Sequence, residues 1–292
     1  MQNEQSVWRL AEAQRIAARY AAQQDVKAIF VGGSVARGCA DLYSDVEIGV
    51  FWRELPPPSV HETLMEQVRG HNWELDPFDP ATQEVQYEEY SVSGLKIDLR
   101  HMTVAGMERV LTSVVDNANS DEGQQGIVYV ARHGLPLYGE TLLDAWRQKA
   151  SLYPDALAHE MACRSLDLPP WDYMPVYIER GDLLLFSCAL SEAVKAIFCG
   201  LCGINREYYP GLKWMSDTLQ GFALQPPDTA ARLHRLFRVS PREAAEAIQH
   251  LVGETFDLAE RTLLGLDLSQ HRADFGYARP VADVPATYLP DA

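Results

Sequence analysis

An apolar, β-rich run from Val26 to Val31 stops at Gly32-Gly33, and this break constrains the fold more than any other feature. Branched and aromatic side chains favour a strand, whereas a diglycine admits backbone conformations closed to other residues, so the chain must turn there. A second such run, Val46 to Trp52, ends before Pro56-Pro57-Pro58, which no strand or helix interior tolerates. Glu84–Val92 and Leu95–His101 read as two further strands, joined by Ser93-Gly94 as a tight hairpin.

Helical segments surround these strands. Val7, Leu10, Ala13, Ala17 and Tyr20 recur at helical spacing over Asn3–Gln23, and Val60, Leu64, Met65 and Val68 share one face of Ser59–Arg69. Thr103 is placed to cap a helix carrying Val104, Met107, Val110, Leu111 and Val114. From about Tyr129 onward the pattern is helical almost to the end. Asp182 marks the start of a long helix through Leu201, with Phe186, Leu190, Val194, Ile197 and Leu201 as its stripe and Gly203-Ile204-Asn205 as its stop. Ser240-Pro241-Arg242-Glu243 combines a capping serine, a first-turn proline and a glutamate at the third position, opening a helix to about Leu264. The last twenty-odd residues, with Pro280, Pro285 and Pro290, read as an irregular tail. The expected division is a mixed α/β part, residues 1–138, and a helical part, residues 139–292.

Charge excludes one class of partner. The 292 residues carry 41 acidic and 25 basic side chains, a formal charge of −16, which repels a phosphate backbone and argues against extended nucleic-acid binding. A cationic small molecule is attracted instead. The five cysteines lack the spacing of a disulfide scaffold, and Cys199 and Cys202, a lone CxxC in an apolar run, read as small buried thiols. The acidic, polar start lacks a signal-segment pattern, and no run reaches about 18 apolar residues, so the expectation is a cytoplasmic chain without a membrane partner.

The chemistry is concentrated in Val31-Gly32-Gly33-Ser34-Val35-Ala36-Arg37-Gly38 and in Asp45-Val46-Glu47. Gly33 lets the backbone approach a ligand, the N–H groups of a following helix and the Ser34 hydroxyl suit a phosphate, and Arg37 can add a bidentate contact. Asp45 and Glu47 stand two apart in an extended segment, so both carboxylates project from one face, opposite Val46, Ile48 and Val50. Lys96, Asp98 and Arg100 alternate in the same way, and if the strands are neighbours Asp98 joins the other two acids. Carboxylates about 5 Å apart repel by roughly 3 kcal/mol per pair at an effective dielectric of about 20. A divalent cation or a proton must relieve that, and hard oxygen ligands select Mg²⁺ or Mn²⁺.

These words resemble the signature of the nucleotidyltransferase superfamily related to DNA polymerase β. In that group a strand leads to Gly-Ser, and Asp-x-[Asp/Glu] follows about ten residues later; here Gly33-Ser34 precedes Asp45-Val46-Glu47. Asp25-Val26-Lys27-Ala28-Ile29, Arg37 and Tyr43-Ser44-Asp45 extend the likeness toward the kanamycin and other aminoglycoside nucleotidyltransferases. The resemblance implies an α+β fold: a mixed, twisted sheet with flanking helices and a C-terminal helical, substrate-binding domain. It implies that Ser34 binds the triphosphate tail and that Asp45, Glu47 and Asp98 hold one or two Mg²⁺ ions. It further implies AMP transfer from ATP to a hydroxyl of a small-molecule acceptor, which the net charge tilts toward a cation. Such enzymes draw a general base from a helical-domain glutamate. Glu160, Glu179 and Glu192 are the candidates, with Glu192 preferred beside Ser187, Ser191 and Lys195 on the polar side of its helix. Lys213, in Tyr208-Tyr209-Pro210-Gly211-Leu212-Lys213-Trp214, is a candidate phosphate contact. Two other readings compete, a protein AMP-transferase of the toxin–antitoxin kind and a non-catalytic nucleotide sensor, and a homodimer stays open.

Overall fold

A computed structural model describes residues 3–280. The chain divides into two compact units, residues 1–157 with Tyr208–Pro210, and residues 158–207 with 211–292.

The first unit is built on a six-stranded mixed sheet. Its elements are α1 (Glu4–Ala21), β1 (Val26–Val31), α2 (Gly33–Arg37), β2 (Val46–Trp52), α3 (Pro58–Gln67), β3 (His71–Leu75), β4 (Gln86–Val92), β5 (Leu95–Thr103), α4 (Val104–Leu111), α5 (Glu122–His133), β6 (Leu135–Tyr138) and α6 (Glu140–Ala150). The strand order is β3-β4-β5-β2-β1-β6. Only the central pair β2–β5 is parallel; every other neighbour is antiparallel.

Alternation assigns the two faces of the sheet. Ile29, Val31, Ile48, Val50, Trp52, Tyr90, Ile97 and Leu99 turn to one side, where they form a core with Ala13, Ile16, Ala17 and Tyr20 of α1 and Leu64 and Met65 of α3. On the other side Phe51 packs 4.7 Å from the Trp146 ring of α6 and 5.4 Å from Phe30, which closes one end of that face. Further along the same face Glu47 and Asp98 are only half-buried.

Several local expectations hold, with instructive departures. Ser93 and Gly94 adopt φ of 50° and 84°, the left-handed pair of a type I′ hairpin. The Thr103 side chain accepts a hydrogen bond from the Gly106 N–H, and Asp182 accepts from Leu185. Ser240 and Glu243 form a reciprocal capping box. Val7 is 54% exposed rather than on the packed face, because the buried stripe of α1 runs Ser6, Arg9, Ala13, Ile16, Ala17 and Tyr20. Pro58 opens α3 itself, as a first-turn proline whose missing N–H is no loss. Two edge strands, β3 and β6, escape the sequence pattern: β3 is polar and half exposed with Asn72 at φ 54°, and β6 is four residues containing Pro136. An edge position tolerates both.

The second unit is helical: α7 (Asp155–Ser165, whose first residues belong to the first unit), α8 (Tyr173–Glu179), α9 (Leu183–Ile204), α10 (Met215–Gly221), α11 (Thr229–Leu236), α12 (Pro241–Thr262) and α13 (Ser269–Phe275). Phe186, Leu190, Val194, Ile197 and Leu201 of α9 are all buried, as are Cys199 and Cys202, and burial pushes the Cys202 thiol well up. Gly203 is not the stop: it lies inside the last turn, where a Cβ would sit 2.8 Å from Met161 Cβ, and Arg206 takes the left-handed position instead. Over its best 18 residues α9 has a mean hydropathy of 1.7, long and apolar enough to cross a membrane by composition, although half of that window is buried within the protein. Ser187, Ser191, Glu192 and Lys195 interrupt it, so it contains no run of about 18 apolar residues. Helix α13 replaces the first part of the expected irregular tail, and residues 281–292, with Pro285 and Pro290, lie outside the described residues.

Candidate active site

The turn after β1 and the first half of β2 are locked together by backbone. Gly32 N–H donates to the Glu47 carbonyl at 2.9 Å, and Gly33 takes φ +56° at the start of α2. A Cβ at Gly33 would lie 1.8 Å from Glu47 Oε2, so the Glu47 carboxylate fills the space a side chain would need. Glycine is required here twice, by its dihedral and by its neighbour. Ser34 follows, 6% exposed. Because α2 has five residues its dipole is slight, so any anion at this turn relies on the Ser34 hydroxyl and local N–H groups.

Register brings the acids together. Glu47 on β2 is the Cα partner of Asp98 on β5, and Asp98 is in turn the partner of Glu89 on β4. The three form a row across three strands on the half-open face. Asp45, just before β2, lies close enough to Asp98 to raise its pKa. Burial is the first cause of that rise, the Asp45 charge adds to it, and Lys96 opposes it. Lys96 Nζ is 3.0 Å from Asp98 Oδ1 and 2.8 Å from Glu89 Oε2, while Arg100 Nη2 is 4.0 Å from Glu47 Oε1. Asp98 Oδ1 is buried and, although Lys96 is near, has no partner in hydrogen-bonding geometry.

The loop that delivers Asp45 is built from its own side chains. Asp41 Oδ1 accepts from the Tyr43 N–H and the Ser44 hydroxyl, both at 2.9 Å, and Ser44 Oγ accepts from the Asp41 N–H. Arg9 of α1, only 3% exposed, anchors the loop: its Nε donates to the Ser44 carbonyl at 2.9 Å and its Nη1 to Gln5 Oε1 at 2.6 Å. A cavity of about 510 Å³ opens beside Asp45, between Trp8 and Arg9 of α1, Tyr43, and Lys96. Arg37, half-buried, donates to the Tyr129 hydroxyl of α5 at 2.5 Å.

In the first unit Gly33 lies against Glu47, Glu47 stands opposite Asp98 and Asp45 lies near Asp98, while Ser34 and Arg37 sit on the short helix that Gly33 opens. Glu192, exposed on α9, and Lys213, in a 3₁₀ turn with Nζ 5.6 Å from the Trp214 ring, belong to the second unit. Glu179 pairs with Arg242 at 2.9 Å. Tyr208 and Tyr209 are buried, Tyr208 packing 4.8 Å from the Tyr153 ring. Glu89, Arg9 and Lys96 enter the site without having been singled out for it. Glu89 was visible in principle, since alternation puts one member of Glu88-Glu89 on the Asp98 face.

The donor set suits a hard divalent cation. It consists of carboxylate oxygens, among them Asp98 Oδ1 ion-paired to Lys96, beside a glycine whose missing side chain leaves room for Glu47. Asp45, Glu47 and Asp98 would supply it, although among the described residues the ligand atoms gathered within 4.8 Å of one another are those of His61, Glu88 and His101.

A second polar cluster lies on the opposite face of the sheet and was not expected. The buried Glu88 carboxylate accepts from His101 Nε2 at 2.7 Å, His61 Nδ1 at 3.1 Å, the Tyr20 hydroxyl at 3.2 Å and Trp73 Nε1 at 2.8 Å. Those hydrogen bonds outweigh burial and hold Glu88 at about 2. Although the two histidines and Glu88 have a metal-like composition, the indole N–H of Trp52 donates to His101 Nδ1 at 3.1 Å. Since an indole can only donate, His101 must carry its proton on Nε2, the nitrogen a metal would need bare. The cluster is a hydrogen-bonded support for the sheet.

A family model described as a domain of unknown function (DUF4037) matches residues 124–215. No curated protein matches the chain. Among solved structures it is similar to a nucleotidyltransferase-like protein from Exiguobacterium sibiricum 255-15, at 16% identity and a TM-score of 0.40, covering 87% of this chain and 78% of the other.

Proposed function

We propose that the chain is a Mg²⁺-dependent nucleotidyltransferase that moves AMP from ATP to a hydroxyl of a small molecule. The observation that carries the reading is the carboxylate row of Glu47, Asp98 and Glu89, joined by Asp45 and set against the Gly33-Ser34 turn. Asp45, Glu47 and Asp98 would hold one or two Mg²⁺ ions, which when bound neutralise the triphosphate and the departing pyrophosphate. The Ser34 hydroxyl and the N–H groups of its turn bind the triphosphate tail. Arg37 adds a second contact to it. The acceptor hydroxyl gives its proton to a general base as its oxygen bonds to the α-phosphorus and the bond to the β-phosphate oxygen breaks. A cationic, aminoglycoside-like acceptor suits the formal charge of −16, and dependence on ATP suits the cytoplasm.

The experiment is incubation with ATP labelled at the α-phosphate, MgCl₂ and a panel of aminoglycosides and other amino-alcohols. A labelled acceptor and free pyrophosphate are expected, and Asp45→Asn should lower turnover about 100-fold or more. Full turnover in Asp45→Asn refutes the metal assignment. Label on a protein instead moves the acceptor hydroxyl to a side chain.

A further inference from the structure

At the far end of the sheet from the carboxylate row, a second cavity of about 710 Å³ opens in the first unit. Trp52 pairs with Thr103 there, beyond the Glu47–Asp98 pair by about 17 Å along the strands. The cavity also lies on the Glu88 face, because Gln86 lines it and alternates with Glu88 along β4. Its volume is that of a small-molecule site.

The walls combine apolar surface with uncompensated negative charge. Trp73, Phe78, Leu55 and Leu75, all half-buried, supply the apolar part. Glu54, Asp76 and Glu84 supply the acids. Arg109, the one base among the described residues that line the cavity, is held by Glu84, to which its Nε and Nη2 donate at 3.0 and 2.7 Å. Glu54 and Asp76 form no ion pair among the described residues, so their charges stay open to a ligand. Gln86 adds an observation of a different kind. It is only 8% exposed, and its Nε2 donates to the Asp76 carbonyl at 3.3 Å. That bond fixes the amide, because a carbonyl can only accept. Gln86 Oε1 accepts no hydrogen bond from the described residues and is not sealed from solvent. It is therefore an acceptor facing the cavity, suited to a ligand N–H.

We propose that this cavity binds a small amine cation carried on an aromatic body, separately from the carboxylate row. The ligand ring lies against Trp73 and Phe78, whose faces also attract a cation. The ammonium faces Glu54 and Asp76 and donates an N–H to Gln86 Oε1, which a quaternary ammonium cannot do. An anion is repelled by the same two carboxylates, and a simple alkylamine leaves the rings uncovered. Nothing in this site requires the row to hold a metal or to transfer a nucleotide.

The test is calorimetry on the full chain with tryptamine as the probe. One tryptamine per chain is expected, at about millimolar affinity or tighter. Ethylamine lacks the ring, indolepropionate reverses the charge and trimethylated tryptamine lacks the N–H. Each should bind at least about fivefold more weakly. The double variant Glu54→Gln/Asp76→Asn should weaken tryptamine about tenfold. Gln86→Met should weaken it about fivefold, with no further loss for the trimethylated cation. Glu54 and Asp76 are exposed, and a thermal melt checks that the variants fold. If Gln86→Met does not fold, the trimethylated cation tests the same N–H contact on wild type. Absence of tryptamine binding, or equal binding of indolepropionate, overturns the proposal. Undiminished binding in Glu54→Gln/Asp76→Asn overturns it too. Asp45→Asn should leave tryptamine binding unchanged, and a loss confined to that variant moves the amine to the carboxylate row and overturns the cavity assignment.

Discussion

Gly33→Ala separates the stability of the β1–α2 turn from the chemistry of the row. Alanine at φ +56° costs about 1–2 kcal/mol in the left-handed region. Its Cβ also falls 1.8 Å from Glu47 Oε2, an overlap no real contact allows. The clashing atom is the far end of a flexible side chain, so Glu47 can swing aside and the steric addition to the stability loss is small. The melting temperature should fall by about 2–4 °C per kcal/mol for a domain of this size. The effect on the site is different in kind. Swinging Glu47 aside removes one of three proposed ligands, and Mn²⁺ affinity should fall at least about tenfold, or 1.4 kcal/mol. Gly94→Ala is the control: Gly94 has φ +84° with nothing within 4 Å of a Cβ, so it bears the backbone cost alone. Calorimetric Mn²⁺ titration beside a thermal melt reads both quantities. The reasoning fails if Gly33→Ala keeps wild-type Mn²⁺ affinity, or if Gly94→Ala loses as much.

Further outcomes follow from the polar contacts. Glu88 is held at about 2 against an ordinary 4.5, so its contribution is full above pH 4.5 and is lost as pH falls toward 2. The difference amounts to about 3 kcal/mol, roughly half of it gone by pH 3. Burial lowers the His101 pKa, so below about pH 6.5 the unfolded chain takes up a proton that the fold refuses, which adds acid lability in the same direction. Urea unfolding at pH 7, 5 and 3 checks this, and a flat stability profile contradicts it. Arg9→Met removes the hydrogen bonds to Ser44 and Gln5 and should cost about 2–3 kcal/mol. Amide exchange should accelerate over residues 41–45, and unchanged protection there would show that Arg9 does not anchor the Asp45 loop.

Periodic features were legible in the sequence and long-range polar partnerships were not. The common face of Asp45 and Glu47 follows from alternation inside one strand, and the same rule put Asp98 on a like face of β5. Their meeting needed only the parallel pairing of β2 and β5, which brings Glu47 opposite Asp98. The edge strands were lost for the opposite reason, because β3 and β6 bury too little to impose a pattern. Arg9 reads as an ordinary surface charge until its acceptor, the Ser44 carbonyl 35 residues away, is known. Glu88 is the sharpest case. Its donors Tyr20, His61, Trp73 and His101 lie 68, 27, 15 and 13 residues off, and without all of them a buried carboxylate is untenable. Single-residue expectation therefore puts Glu88 in solvent and leaves its neighbour Glu89 without a role. Once the donors place Glu88 in the core, alternation forces Glu89 onto the Asp98 face beside Lys96. The support cluster on one side of the sheet thereby fixes the register that completes the carboxylate row on the other.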